Sequence, residues 1–232
     1  MSSAGISSAR MNSAGMSSPI RVMLVDDHAV VRSGLRRLLE QDGGVLVVGD
    51  AETGEQAYQL YSEFRPDVVV MDMSMPGMGG LEALRRLLAR YPLARVVIFS
   101  MHENAAFATQ ALSSGAKGYI SKSGLAGDLL NAIREAMVGR TWISPSIAQK
   151  IALQSLMGDD DPMRKLSARE FEVFRLLAEG RSVDEIAIQL KVSQKTVANY
   201  QTQLKQKLGL SSPVELVRMA IRSGVVASLD AA

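Results

Sequence analysis

Residues 67–90 read DVVVMDMSMPGMGGLEALRRLLAR, and the order of their parts decides the fold. An unbroken apolar run, Val68–Met71, gives way to Asp72, then to a loop rich in Met, Pro and Gly, then to an amphipathic stretch from Leu81 to Arg90. A short β-branched run with no polar alternation suits a strand covered on both faces, as in a parallel sheet. The unit recurs along the chain. Runs at Val22–Val25, Val45–Val48, Val96–Phe99 and Gly118–Ile120 alternate with helix-like segments at Val30–Glu40, Gly54–Phe64, Ala105–Ser113 and Leu125–Val138. Strands alternating with helices of that length imply right-handed βαβ crossovers and an α/β doubly wound, five-stranded parallel sheet. In such a sheet the functional site lies at the carboxyl ends of the strands, by the topological switch point.

Beyond Trp142 and Pro145 the character changes. Residues Ser146–Leu156 read as a helix and Gly158–Pro162 (GDDDP) as a charged linker. The remainder of the chain reads as all helix, with legible starts. Ser167-Ala-Arg-Glu170, Ser182-Val-Asp-Glu185 and Ser212-Pro-Val-Glu215 are capping-box patterns, and Ser193 is placed to cap a further helix. Gly180, Gly209 and Gly224 stand just past three helix ends, where a left-handed residue is favoured. The expected helices are Ser167–Glu179, Ser182–Leu190, Ser193–Leu208 and Ser212–Ser223. Only Lys191-Val192 separates the second from the third, which makes a helix-turn-helix unit. The first residues, MSSAG then MNSAG, are small and polar and lack the apolar core of a signal peptide. The expected division is therefore a disordered tail at 1–18, a sheet domain at 19–141, a linker with a helix at 142–163 and a small all-α domain at 164–232.

Composition excludes several classes. The 232 residues are 47% hydrophobic and 22% charged, which rules out disorder for all but short segments. No stretch approaches the roughly 18 apolar residues of a membrane helix, so a cytoplasmic protein without membrane contact is expected. The absence of cysteine removes disulfides, thiolate metal sites and cysteine nucleophiles. The net charge of +2 looks unpromising for a nucleic-acid partner, but it averages two unlike halves. Residues 20–145 carry 13 Lys/Arg against 14 Asp/Glu, whereas residues 164–232 carry 11 against 7. The basic excess falls on the helix-turn-helix, where DNA belongs.

At the strand ends the residue types imply phosphoryl chemistry. Asp26 and Asp27 come directly after the first run and Asp72 after the third, so three carboxylates share one sheet edge and repel one another without a cation. Hard oxygen donors suit Mg²⁺. Ser100 comes after the fourth run and Lys122 after the fifth, a hydroxyl and an ammonium for a tetrahedral anion carried by one carboxylate. Each residue has a plainer reading: Asp at a strand end is often a helix cap, and hydroxyls and half-buried tyrosines are common there.

The segments VMLVDD (22–27), VVVMDMSMPGMGG (68–80), VVIFS (96–100) and KGYISK (117–122) resemble the flavodoxin-like receiver domain of bacterial response regulators. The stretch LSAREFEVFRLLAEGRSVDEIAIQLKVSQKTVANYQTQLKQKLGL (166–210) resembles the LuxR-type DNA-binding domain. The order and spacing of both are similar to the NarL/FixJ family. The DMSMPGMGG run, SIAQKIALQ and Tyr200 are similar to its GacA/UvrY-like branch. The resemblance implies Asp72 as phospho-acceptor, Asp27 as direct Mg²⁺ ligand, Asp26 acting largely through water, and the Ser74 backbone carbonyl as a further metal contact. It makes Ser100 the switch hydroxyl, Lys122 the counter-ion and Tyr119 the aromatic switch. The implied partners are a sensor histidine kinase, simple or hybrid, promoter DNA, and a second copy when active. The chain would catalyse only its own phosphoryl transfer and dephosphorylation.

In the helix from Ser193, Val197, Tyr200, Leu204 and Leu208 recur at helical spacing and should face the core. The first turns of such a helix read bases in the major groove, and its flanks meet phosphate. Lys195, Thr196, Asn199 and Thr202 are expected at base edges, and Lys191, Lys205 and Lys207 at the backbone. Most family members have Lys-x-His where this chain has Ala198-Asn199-Tyr200, so Asn199 offers adenine readout in place of a basic contact to guanine. Two other readings stay open. One is a phosphorylation-independent regulator whose helical domain binds protein. The other is a haloacid-dehalogenase-type phosphatase, which normally has a second Asp two residues past the acceptor, where this chain has Ser74.

Overall fold

The computed structural model describes residues 18–156 and 162–226. All but the last residue of the expected tail, and residues 157–161 of the expected linker, lie outside the described residues. Strands β1 (Ile20–Val25), β2 (Val45–Ala51), β3 (Val68–Met71), β4 (Val96–Ser100), β5 (Gly118–Ser121) and β6 (Trp142–Ile143) form one parallel sheet in the order β2-β1-β3-β4-β5-β6. Helices α1 (Ala29–Gln41), α2 (Gly54–Phe64), α3 (Gly80–Arg90), α4 (Ala105–Ser113), α5 (Ala126–Met137) and α6 (Pro145–Leu156) connect and extend them. Most bounds fall within a residue or two of those expected from the sequence.

The two faces arise from strand alternation. Val22 and Leu24 of β1 pack with Leu35 and Leu39 of α1 and with Leu129 and Ile133 of α5. Met23 and Val25 point the other way, into a core with Ala57 of α2, Leu84 and Leu87 of α3 and Phe107 of α4. Met71, Met73 and Met75 are buried there, so these methionines fill the core.

The sheet has six strands where five were expected. Trp142–Ile143 pairs with Gly118 and Tyr119 on the open edge of β5. Pro145 keeps the approach to α6 extended, and an unpaired edge accepts such a segment readily. The first residues of the expected linker are thereby part of the sheet.

A 3₁₀ turn at Pro162–Lys165 leads to α7 (Ala168–Ala178), α8 (Val183–Leu190), α9 (Gln194–Leu208) and α10 (Pro213–Arg222). Ser167 with Glu170 and Ser182 with Glu185 form complete capping boxes. The third differs by one residue: Ser212 accepts from the Glu215 N–H, but the Glu215 carboxylate turns to the Ser211 N–H at 2.6 Å. Lys191, in the turn between α8 and α9, has φ of 53°, a conformation in which a side chain is strained. Phe171, Phe174, Leu190, Val197, Leu204 and Ala220 belong to the same contiguous core as the α2–α4 face of the sheet.

Candidate functional site

The sheet reverses its direction of growth between β1 and β3, and the acidic residues meet at that point. Val25 stands opposite Met71, and the Asp72 N–H donates to the Val25 carbonyl at 2.7 Å. Asp26 and Asp72 are 2% and 5% exposed. Ser100 pairs with Ser121 in register, and the Lys122 N–H donates to the Ser100 carbonyl, which carries the lysine toward the acids. Its Nζ lies 2.6 Å from Asp26 Oδ2 and 3.0 Å from Asp72 Oδ2. Burial raises the Asp72 carboxyl above its ordinary range, and Lys122 opposes that rise.

Gly80 is required beside this site. A Cβ at Gly80 would lie 2.0 Å from the Asp72 carbonyl oxygen, so any side chain displaces the Asp72 backbone.

One ligand atom from each of Asp26, Asp27, His28 and Asp72 lies within 4.8 Å of the others. Asp27 Oδ1 is buried with no hydrogen bond. His28 Nδ1 is 2.9 Å from it, an ion-pair distance without hydrogen-bond geometry. A buried carboxylate oxygen without a donor, among further carboxylates, fits a divalent metal ion.

Around this centre lies a second set of contacts. Ser100 is fully buried, and its Oγ accepts the His102 N–H at 3.1 Å. Tyr119 is also fully buried, and its hydroxyl donates to the His102 carbonyl at 2.8 Å. Burial raises the Tyr119 phenol, which remains a hydrogen-bond donor. His102 Nε2 is 2.7 Å from Ser74 Oγ, and its ring stacks on Phe107 at 4.0 Å. Burial, then the charges of Arg175 and Lys122, push His102 down to about 4, so the ring is neutral at pH 7.

On α9, Val197 and Leu204 are buried and Tyr200 and Leu208 are half-buried, as the spacing predicts. Lys195, Asn199, Thr202, Gln203 and Lys205 are exposed on one continuous surface, with Lys191 in the turn before it. Thr196 helps Ser193 cap the helix, its hydroxyl 2.8 Å from Ser193 Oγ. The Thr202 hydroxyl donates to the Ala198 carbonyl within the helix. Lys207 points elsewhere: its Nζ is 2.7 Å from Glu170 Oε2, clamping α9 to the start of α7.

Two family models match the chain: the response regulator receiver domain over residues 22–134 and bacterial regulatory proteins of the luxR family over residues 164–220. The response regulator GacA of Pseudomonas aeruginosa is 41% identical over 209 residues, covering 89% of this chain and 98% of that protein. The response regulator UvrY of Escherichia coli is 38% identical over 208 residues, covering 89% and 95%. The chain belongs to the response-regulator family. Among solved structures it is similar to RcsB of Salmonella enterica bound to promoter P1flhDC in the presence of the phosphomimetic BeF₃⁻. That match has a TM-score of 0.67 at 30% identity and covers 87% of this chain and 98% of the other. A LuxR-family regulator from Aurantimonas matches with a TM-score of 0.58 at 47% identity, over 60% of this chain and 99% of the other.

In this response regulator the LuxR-type helices are docked on the side of the receiver that carries Asp72 and its loop. The Gly77 N–H, in the loop after Asp72, donates to the Gln189 carbonyl at 2.8 Å. Arg169 donates to the Gly77 and Leu190 carbonyls at 3.1 and 2.6 Å. Buried Gln110 of α4 donates to the carbonyls of Met163 and Leu166. Asn104 caps α4 and also donates to the Gly224 carbonyl past α10 at 2.6 Å. Phe107 meets Phe171 of α7 edge to face, with centroids 4.9 Å apart.

The acids, Ser100, Lys122 and Tyr119 singled out in the sequence thus converge at one edge, and Lys195, Asn199, Thr202 and Lys205 share one exposed face of α9, with Thr196 half-buried at the cap and Lys207 on Glu170. His28, directly after the acidic pair, is a tempting ligand or donor by sequence and carries no assigned role there. Two further contributors were missed: His102 stands two residues past Ser100, and that adjacency was its only signal. Arg169 carried none, because its partners in the loop after Asp72 lie about 90 residues away in sequence.

Proposed function

We propose that this response regulator is switched by Mg²⁺-dependent transfer of a phosphoryl group to Asp72 and that the switch controls sequence-specific promoter binding. The observation that carries the reading is Lys122 Nζ seated between Asp26 and Asp72. Asp27 would hold the metal directly and Asp26 mainly through water, with the Asp72 carboxylate and Ser74 carbonyl as further protein contacts. Mg²⁺ would supply neutralisation of phosphoryl oxygens. A sensor histidine kinase donates the group, or a small phosphodonor such as acetyl phosphate. A carboxylate oxygen of Asp72 forms the new bond to phosphorus as the bond to the donor's imidazole nitrogen, or acetate oxygen, breaks. Lys122 opposes the rise in the Asp72 carboxyl and so favours the anion that attacks.

The product carries nearly two negative charges at a site that held one. Lys122 turns to the phosphoryl oxygens, and Ser100 Oγ rotates to them as donor. That rotation releases the His102 N–H and disturbs the stacked path from His102 through Phe107 to Phe171. Tyr119 moves after Ser100 and re-forms its hydrogen bond there. The docked helices loosen. Because α9 is already exposed while docked, release acts on the freedom of two copies to align as a homodimer on two half-sites. Lys195, Thr196, Asn199 and Thr202 then meet base edges, and Lys191 and Lys205 meet phosphates. Lys207 reaches the backbone only by leaving Glu170. On this reading the receiver spans 19–141, extended at its sheet edge by Trp142–Ile143, the linker runs on to 163 and the DNA-binding domain spans 164–232, in a cytoplasmic protein. Among the described residues no helix is long and apolar enough to cross a membrane.

Selection of binding sites from randomised duplexes, with and without acetyl phosphate, tests this reading. One motif enriched strongly only by the phosphorylated protein supports it. No enrichment in either condition, with a protein captured instead, favours a protein-binding helical domain.

A further inference from the structure

We infer that Arg32 is a positioning residue for the metal centre, acting through the peptide that joins Asp26 to Asp27; the inference rests on the metal reading proposed for Asp26, Asp27 and Asp72. Arg32 lies on α1 and is only 9% exposed, although it carries a full charge. Its guanidinium satisfies three acceptors at once: the Asp26 main-chain carbonyl through Nη1 at 2.6 Å, Asp50 Oδ2 through Nε at 3.1 Å, and Glu52 Oε1 through Nη2 at 2.7 Å. Asp50 is held in turn by Arg36, whose other nitrogen donates to the Val47 carbonyl. The fork is therefore braced against the end of β2.

The held atom matters more than the count of bonds. A peptide unit is planar, so fixing the Asp26 carbonyl oxygen fixes the direction in which Asp27 leaves it. The other polar atoms of Asp26 are also engaged. Its N–H donates to Ala51, Oδ1 accepts from the His28 N–H at 2.8 Å, and Oδ2 accepts from Lys122 at 2.6 Å. Asp26 is a fixed post, and Asp27 presents a buried oxygen with no donor. Arg32 decides where that oxygen points.

Charge and geometry make opposite predictions here. Arg32 is cationic, so by charge alone its removal leaves Glu52 unpaired and Asp50 with Arg36 alone, and draws a cation in more tightly. By geometry its removal frees the Asp26–Asp27 peptide and weakens binding. Two carboxylates already balance the guanidinium, so its net field at the site is small. Partners that orient metal ligands typically set affinity by about 10–100-fold. Geometry wins.

The test titrates the full-length protein with Mg²⁺ alone, monitors the amide resonances of residues 72–79, and records melting without metal. Wild type binds, and Asp27→Asn does not. Arg32→Met weakens Mg²⁺ binding at least about tenfold. Arg32→Lys weakens it less, because a single ammonium cannot hold three fork-shaped acceptors but can reach one. It also serves if the Met variant fails to fold. Unchanged or tighter binding in either variant, even with a lower melting temperature, reduces Arg32 to a structural residue and overturns the inference. A wild type that binds no Mg²⁺ brings down the metal reading itself, a distinct result.

Discussion

Arg169 of α7 donates through one nitrogen to the carbonyl of Gly77, five residues past Asp72, and through another to the carbonyl of Leu190 before the helix-turn-helix turn. One side chain thus joins the loop after Asp72 in the receiver to the corner of the DNA-binding unit. Removing it weakens docking without touching the acids or α9. Arg169→Ala is expected to raise DNA affinity of the unphosphorylated protein by about tenfold, the equivalent of about 1.4 kcal/mol. Fluorescence anisotropy with a selected duplex measures this. Unchanged basal affinity, with normal binding after phosphorylation, would remove the contact from the switch.

Gly80 lies against the main chain of Asp72. A methyl group there meets the Asp72 carbonyl oxygen, and the loop must move. Gly80→Ala is expected to lower stability by about 1–3 kcal/mol, the usual cost of overpacking, and to slow phosphorylation by acetyl phosphate. Denaturant unfolding and intact-mass kinetics give the two readouts. Wild-type behaviour in both contradicts the close approach.

Lys191 combines strain with a proposed phosphate contact. Its left-handed backbone costs a residue with a side chain about 1–2 kcal/mol, while glycine loses about 0.5–1 kcal/mol in chain entropy. The balance favours glycine. Lys191→Gly should therefore stabilise the protein slightly, while flattening the salt dependence of DNA binding by about one unit of slope. A stabilised variant with an unchanged slope keeps the turn geometry and removes the phosphate contact.

His102 makes stability depend on pH. Its ordinary value of 6.5 falls to about 4 in the fold. As pH falls, the unfolded chain takes up the proton first, so its contribution is complete above about 6.5 and is lost progressively toward about 4. The melting temperature of wild type should drop more steeply across that window than that of His102→Asn. Parallel profiles would show that the ring titrates normally.

The unbroken apolar runs Val22–Val25 and Val68–Met71 and the capping serines made the sheet and helices legible, because those signals are local. The acids and Lys122 were legible for a related reason: in a parallel sheet every residue just past a strand emerges at one edge. Trp142–Ile143 was not, since two residues hold no period and the strand exists only because β5 leaves an edge to pair. Nor was the role of Lys207. Its spacing on α9 suits DNA, and only the fold brings Glu170 to 2.7 Å from it. Contacts such as Arg169 to Gly77 depend on docking two units, which no local pattern encodes.

The whole switch depends on Asp72 accepting a phosphoryl group with Mg²⁺. Incubation with acetyl phosphate and Mg²⁺, with intact-mass measurement of wild type and Asp72→Asn, tests that step without intermediaries. Wild type is expected to gain one phosphoryl group, the variant none, and wild type none when Mg²⁺ is chelated. An unmodified wild type, or a variant modified as readily, would contradict Asp72 as the acceptor.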